Sequence, residues 1–280
     1  MRPRLGVRWT IGDVNPAGFE ALRLSVHGAM QLFGTGAEYR VYVNTIPLGE
    51  AQRRTGATPP GLQWEQSSGA VPAVLEPHLD RGMAEGVAWK LTPLRAFPEC
   101  HELSLDNDVI LWRIPRPVEQ WLASADPAAS LIAADIRPAF GQFAALCGEG
   151  PRNSGIRGLG PDLDFEASIA TVLRRHPVRL QSELDEQGLQ VAALTMSGEP
   201  YVVETSDVTI CSPFHPHSPE LGDCGAHFVG LNTRHLPWSY YDRPATEVRL
   251  EHWLNLRAEL YARVGLPFHA DDPVRRPGLG

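Results

Sequence analysis

Strand-like and helix-like hydrophobic patterns alternate along this chain, and that alternation restricts it to folds in which helices cover a largely parallel sheet. Leu5 to Ile11 reads as a strand. Phe19, Leu22, Val26, Met30 and Phe33 then recur at helical spacing, and Tyr39, Val41 and Val43 alternate with polar neighbours in a second strand. This is a βαβ opening. From Pro47 to about Gly86 the chain is rich in Gly, Pro, Ser and Gln, which predicts a short helix, one strand near residues 62–64 and long loops. After a helix-like approach around Trp89, a strand runs into Asp106. Residues 118–122 read as a short helix and residues 130–134 as a strand. Asp162 or Asp164 can cap a helix whose apolar face is Phe165, Ile169, Val172 and Leu173. A further helix is expected over roughly residues 185–195, strands over 201–204 and 208–211, and a last helix from about 246 to 264. The expected fold is α/β: a mostly parallel mixed sheet flanked by helices, one domain over residues 1–265, followed by a Pro/Gly-rich C-terminal tail at 266–280. Ligands of such sheets bind at the carboxyl ends of the strands.

One strand ends in chemistry. Asp106-Asn107-Asp108 is set in an apolar run, with Leu103-Ser104-Leu105 before it and Val109-Ile110-Leu111-Trp112 after it. In an extended chain, side chains at i and i+2 share a side, so Asp106 and Asp108 can converge while Asn107 turns away. Two unpaired carboxylates beside so much apolar surface would be costly, and a hard divalent ion carried with substrate phosphates offsets that cost. An Asp-x-Asp at the end of a buried strand is a sugar-nucleotide transferase signal. The same tripeptide is also good turn chemistry.

Composition excludes several alternatives. The net charge of -8 argues against broad nucleic-acid binding, because phosphate contacts need a basic face and no Lys/Arg cluster supplies one. No apolar run approaches membrane-spanning length, and Met1-Arg2-Pro3-Arg4 leads into a mixed strand rather than a signal-peptide core, so a cytoplasmic protein is expected. Cys100, Cys147, Cys211 and Cys224 form no CxxC pair, which fits a reducing compartment. Lys90 is the single lysine among 25 basic residues, all the others being Arg.

Several separated segments resemble one family, the glycogenin-like retaining glycosyltransferases of glycosyltransferase family eight, which have the GT-A fold. Trp89-Lys90-Leu91 followed by Glu102-Leu103-Ser104-Leu105-Asp106-Asn107-Asp108-Val109-Ile110 resembles that family's basic residue plus Leu and its strand ending in Leu-Asp-x-Asp. Asn153-Ser154-Gly155 resembles its Asn-Ser-Gly step, and Asp185-Glu186-Gln187-Gly188-Leu189 its Asp-Gln-Gly-Leu element. His227-Phe228-Val229-Gly230, with Pro237-Trp238 after it, resembles its His-Phe-x-Gly…Lys-Pro-Trp ending. The four motifs occur in the family's order from about Lys90 to Trp238. The resemblance implies a GT-A-like fold and a metal-dependent transferase moving a sugar from a nucleotide-diphosphate sugar, usually UDP-linked, to an acceptor with retention. It implies Mn²⁺ or Mg²⁺ on Asp106, Asp108 and His227, and donor contacts from Lys90, Asn107, Asn153, Ser154, Gly230 and, loosely, Thr10. Asp185 and Gln187 would act on donor sugar and acceptor. The family's Asp aligns with Glu186 unless the loop shifts to place Asp185 there. Extra residues separate Gly230 from Pro237, and the family's Lys before Pro-Trp is missing, leaving Arg234 or His235 as cationic candidates.

Two other readings compete. Cys211, His215, His217, Cys224 and His227 crowd one segment and carry zinc-type donors, which would make a zinc-stabilised binding module. A sugar-phosphate nucleotidyltransferase shares the sheet and carboxylate logic, although no Gly-rich, Arg/Lys-bearing loop follows the first strand.

Overall fold

The computed structural model of the chain describes residues 4–67, 71–79 and 89–268. Most of the expected C-terminal tail, and the expected loop through residues 68–70 and 80–88, lie outside the described residues. The opening βαβ unit is β1 (Leu5–Ile11), α1 (Pro16–Phe33) and β2 (Ala37–Val43). The Asn15 side chain caps α1 by accepting from the Gly18 amide, and Pro16 supplies a preset φ where no helical N–H is needed. Next come α2 (Leu48–Thr55), β3 (Leu62–Gln66) and a single 3₁₀ turn at Trp89–Leu91, where a helix-like approach was expected. The chain continues with β4 (His101–Leu105), β5 (Val109–Leu111), α3 (Arg116–Leu122), β6 (Ser130–Ala134) and β7 (Arg152–Leu159).

Asp164, not Asp162, caps α4 (Phe165–Arg175). Ser182 caps α5 (Glu183–Ser197), so this helix begins two residues before the expected start. Then follow β8 (Tyr201–Val203), β9 (Val208–Ile210), β10 (Gly225–His227), the short hairpin β11 (Ser239–Tyr240) and β12 (Arg243–Pro244), and α6 (Ala245–Arg263). Among the described residues no helix is long and apolar enough to cross a membrane.

The main sheet has seven strands in the order β3-β2-β1-β4-β7-β6-β8. Every pairing in it is parallel except those of β7, which runs antiparallel to both β4 and β6. The sheet is therefore mostly parallel and mixed, as expected. The sequence pattern did not reveal β7, because Gly155, Gly158 and the adjoining Gly160 dilute its strand signature. Packing demands those glycines: a Cβ on Gly158 would sit 2.8 Å from Leu131 and Trp121 atoms. A second sheet, β5-β10-β9, pairs the strand that follows Asp108 with the strand that ends at His227. Trp9, Leu22, Val26, Val41, Leu103 and Trp121 belong to the core around the parallel strands, while a second apolar cluster joins α4 to α5.

Charges are buried in the middle of the main sheet. Arg8 of β1, Glu102 of β4 and Arg157 of β7 share one face, with Arg8 and Arg157 nitrogens 3.6 and 3.7 Å from Glu102 Oε1. Glu102 Oε2 also accepts the backbone amides of Ala96 and Phe97, while Arg8 donates to the carbonyls of Pro93 (2.6 Å) and Lys90 (3.1 Å). Arg157 donates to Gln190 Oε1 of α5 at 2.7 Å. Burial first, and repulsion from Arg8 second, push the Arg157 pKa down to about 10. Removing the carboxylate would leave two buried guanidinium groups facing each other. Glu102→Ala is expected to cost about 3–5 kcal/mol in urea unfolding, the scale for breaking a buried ion pair; a loss below about 1 kcal/mol would show that the charges are compensated elsewhere.

Candidate active site

β4 ends at Leu105, and Asp106, Asn107 and Asp108 form the link from the main sheet to the small one. The Asp106 amide donates to Gly155 O (2.8 Å), and the Val109 amide donates to Asp106 O (3.0 Å), closing a turn. The expectation of an extended segment is corrected here. The tripeptide follows its turn chemistry, and the turn presents both carboxylates. β10 pairs with β5 so that His227 faces Val109, which brings the imidazole alongside them.

Asp106, Asp108 and His227 each place one ligand atom within 4.8 Å of the others. His227 Nε2 lies 3.5 Å from Asp108 Oδ1 and 3.7 Å from Asp106 Oδ2. The donor set, two carboxylate oxygens and one imidazole nitrogen, suits Mn²⁺ or Mg²⁺ and lacks the thiolates that favour softer ions. Lys90 is the local cation: its Nζ donates to Asp106 Oδ2 at 2.6 Å and to Ser154 Oγ at 3.3 Å. Burial disfavours its charge, but Asp106 and then Glu186 outweigh that and hold its pKa above the ordinary lysine value. Burial likewise disfavours the His227 imidazolium, yet Asp108 and Asp106 raise its pKa overall. The site is built to hold positive charge.

Gly155 makes room for the imidazole. A Cβ there would lie 2.4 Å from His227 Cε1 and 2.7 Å from Nδ1. The β6–β7 register shifts between Ile132, opposite Arg157, and Ala133, opposite Asn153. The segment between bows away from β6, and such irregularities re-aim side chains beside sites. Ser154 is thereby turned toward Lys90, with its amide donating to Gln187 Oε1 (3.2 Å), while Gln187 Nε2 donates to Ala139 O. Asn153 donates to Asp135 Oδ2 (3.0 Å) and accepts from the Gly155 amide (2.7 Å). Thr10 Oγ1 accepts from buried Arg8. Gly230 has φ +77°, a conformation glycine adopts freely, and its carbonyl accepts from Arg249 of α6.

The Asn107 amide is engaged within the fold, donating to Gly18 O (3.0 Å) and exchanging two 2.9 Å bonds with Asn232. The Asp185 carboxylate accepts the amides of Gln142 and Gln181, both at 2.8 Å, and the Gln142 side chain. The next residue on α5, rotated by about 100° along a helix of 3.6 residues per turn, is Glu186, and it lies on the Lys90 side. Burial is the main cause pushing its pKa up to about 8, with Lys90 opposing. Glu186, Asn232, Arg157 and Arg249 were not singled out as site residues by sequence reasoning, although Glu186 was weighed as the alternative to Asp185. Arg234 pairs with Asp13 at 2.5 Å, so the cation reaching the Gly230 loop is Arg249.

The zinc set is not assembled among the described residues. Cys211 and Cys224 point to Pro219 O and Asp207 Oδ1, and His217 Nδ1 is bonded to Phe214 O at 3.0 Å; only His227 of that set joins a metal-capable group.

No protein-family model matches the sequence, and no curated protein matches it. Solved structures do share its architecture. Mouse xyloside xylosyltransferase 1 is 12% identical, with 82% of this chain and 99% of that one covered at a TM-score of 0.52. The bifunctional glycosyltransferase WbbM is 13% identical over 94% of this chain at a TM-score of 0.52, and the match spans 52% of WbbM. The galactosyltransferase LgtC, solved with donor and acceptor sugar analogues, is 15% identical over 89% of this chain and 95% of that one, at a TM-score of 0.48. The chain has the GT-A fold of glycosyltransferases. In this GT-A frame the Asp106–Asp108 turn lies where β4, a parallel strand of the main sheet, ends.

Two measurements probe the geometry. Gly155→Ala should displace His227, weakening divalent-ion binding measured by paramagnetic resonance of free Mn²⁺, and should cost about 1–3 kcal/mol as an overpacked site. Glu186 holds a proton in the folded state that the unfolded chain loses above its ordinary value of 4.5, so its contribution to stability declines as pH rises from about 4.5 through about 8. Glu186→Gln should flatten that decline, seen as a smaller drop in melting temperature between pH 5 and pH 8.5 than in the parent.

Proposed function

We propose that this protein is a metal-dependent glycosyltransferase that moves a sugar from a nucleotide-diphosphate donor, UDP-linked, to an acceptor hydroxyl with retention of configuration. The observation that carries the reading is the convergence of Asp106, Asp108 and His227 beside Lys90, at the strand end of a GT-A fold. Retention and the uridine base rest on the four ordered motifs. Mn²⁺ or Mg²⁺ held by Asp106, Asp108 and His227 would neutralise charge on the donor diphosphate as the sugar–phosphate bond breaks.

The chain's own groups do the rest. Lys90 exchanges its bond to Asp106 for donor phosphate or sugar oxygens, a change of partner within reach of one ammonium. Gln187 holds the Ser154 amide and thereby the bowed segment that faces Lys90. Glu186 takes the role first expected of Asp185: a carboxyl that stays protonated near neutrality can donate to a sugar hydroxyl as well as accept from one. Thr10 stands next to the carboxyl end of β1, the end at which ligands of such sheets bind.

A panel of nucleotide sugars in a thermal-shift assay with and without Mn²⁺ tests this. UDP-sugars should raise the melting temperature only with the metal present, since a ligand bound at about 100 times its Kd stabilises by roughly 2.7 kcal/mol. Asp108→Asn should abolish the Mn²⁺-dependent part of UDP binding while the protein without ligand still melts cooperatively. Equal UDP affinity in variant and parent, with Mn²⁺ present, would falsify the reading. Lys90→Arg and Lys90→Ala should both slow donor hydrolysis by about tenfold or more, about 1.4 kcal/mol in the barrier; unchanged rates in both would remove Lys90 from the site.

A further inference from the structure

Asp106 and Asp108 are held by different means. Asp106 is bonded by Lys90, a group that the proposed reaction needs to release it. Asp108 offers Oδ1 toward His227 Nε2, whereas its other oxygen, Oδ2, accepts from Asn232 Nδ2 at 3.2 Å. Asn232 is fixed in turn by the reciprocal amide pair with Asn107, both bonds 2.9 Å long. The first turn of α1 is hollowed to admit it: a Cβ on Gly18 would stand 2.4 Å from Asn232 Oδ1, and Asn107 also donates to Gly18 O. The surrounding loop is tied at both ends, by Asn15 donating to Leu231 O and by Arg249 donating to the carbonyls of Gly230 and Thr233.

Asn232 lies in the segment between Gly230 and Pro237 that is longer here than in the family the chain resembles. We propose that Asn232 is a positioning residue for the metal-holding carboxylate of Asp108. By occupying Oδ2, it fixes the carboxylate rotation and leaves Oδ1 directed at the shared point with Asp106 and His227. Partners of this kind set ligand orientation, and removing one typically lowers metal affinity about 10- to 100-fold. The inference rests on the metal-dependent reading above and extends it to a residue in the extra segment.

The test is Mn²⁺ binding to the full-length protein without nucleotide, read from the paramagnetic resonance signal of free Mn²⁺. Asn232→Ala should weaken Mn²⁺ about tenfold or more. Asn15→Ala loosens the same loop without touching the Asp108 donor, and should leave Mn²⁺ affinity within about twofold of the parent, where changes fall below about 0.4 kcal/mol. Asn107→Ala, which removes the anchor of Asn232, should weaken binding in the same direction, and combining it with Asn232→Ala should add little. An Asn232→Ala affinity within twofold of the parent, or an equal fall in Asn15→Ala, overturns the inference. Should Asn232→Ala lose its cooperative melting, Asn107→Ala decides, and unchanged binding there overturns it. A parent that binds no Mn²⁺ instead overturns the metal-dependent reading itself.

Discussion

Two carboxylates from a single turn, Asp106 and Asp108, repel each other unless positive charge stands between them, and the centre of this molecule is organised to supply it. Lys90 bonds one of them, and His227 stands within 4 Å of both. Behind them Arg8 holds the Lys90 carbonyl and shares Glu102 with Arg157. Arg157 reaches Gln190, which bonds Glu186 at 3.1 Å. A continuous set of ionised and amide groups thus runs through the sheet from β1 to α5. Isolated charges at these depths would be strongly disfavoured. Held together, they give the Asp106–Asp108 turn a rigid support.

That support explains why a glycine-rich strand sits in the middle of the sheet. β7 must run next to β4, carry Arg157 inward, bow at Ser154 and leave space at Gly155 for His227. Larger residues would fill the space that the imidazole needs. The local strand propensity is poor, and tertiary pairing overrides it.

Much of the architecture was legible in the sequence because it is written in hydrophobic period. β1, α1, β2, β3, β6, α4 and α6 are amphipathic or apolar enough to be read one at a time. The parts that escaped are those whose residues answer to distant neighbours: β7, weakened by its glycines, and β10, three residues long and paired on both sides. The site divides in the same way. Asp106, Asp108, His227 and Lys90 could be named because acidic and basic groups beside apolar strands have few inexpensive explanations. The partners of Asn107 and Asp185 had no such signal, since only the folded chain brings Asn232, Gln142 and Gln181 to them. Which of Asp185 and Glu186 turns toward Lys90 depends on the rotation of one helix, and a spacing of one residue in sequence carries no information about that angle. Asn232 and Arg249 gave no local signal at all; each is an ordinary polar residue until a loop folds over it.

The Asp106–Asp108 turn is also a joint. Asp106 closes a strand of the large sheet, while Asp108 opens a strand of the small one and His227 belongs to that sheet's middle strand. An ion gripping all three side chains would rivet one layer to the other. Any shift of one layer against the other would then change the grip, so the mechanical stiffness of this seam and the chemistry at its mouth are a single property.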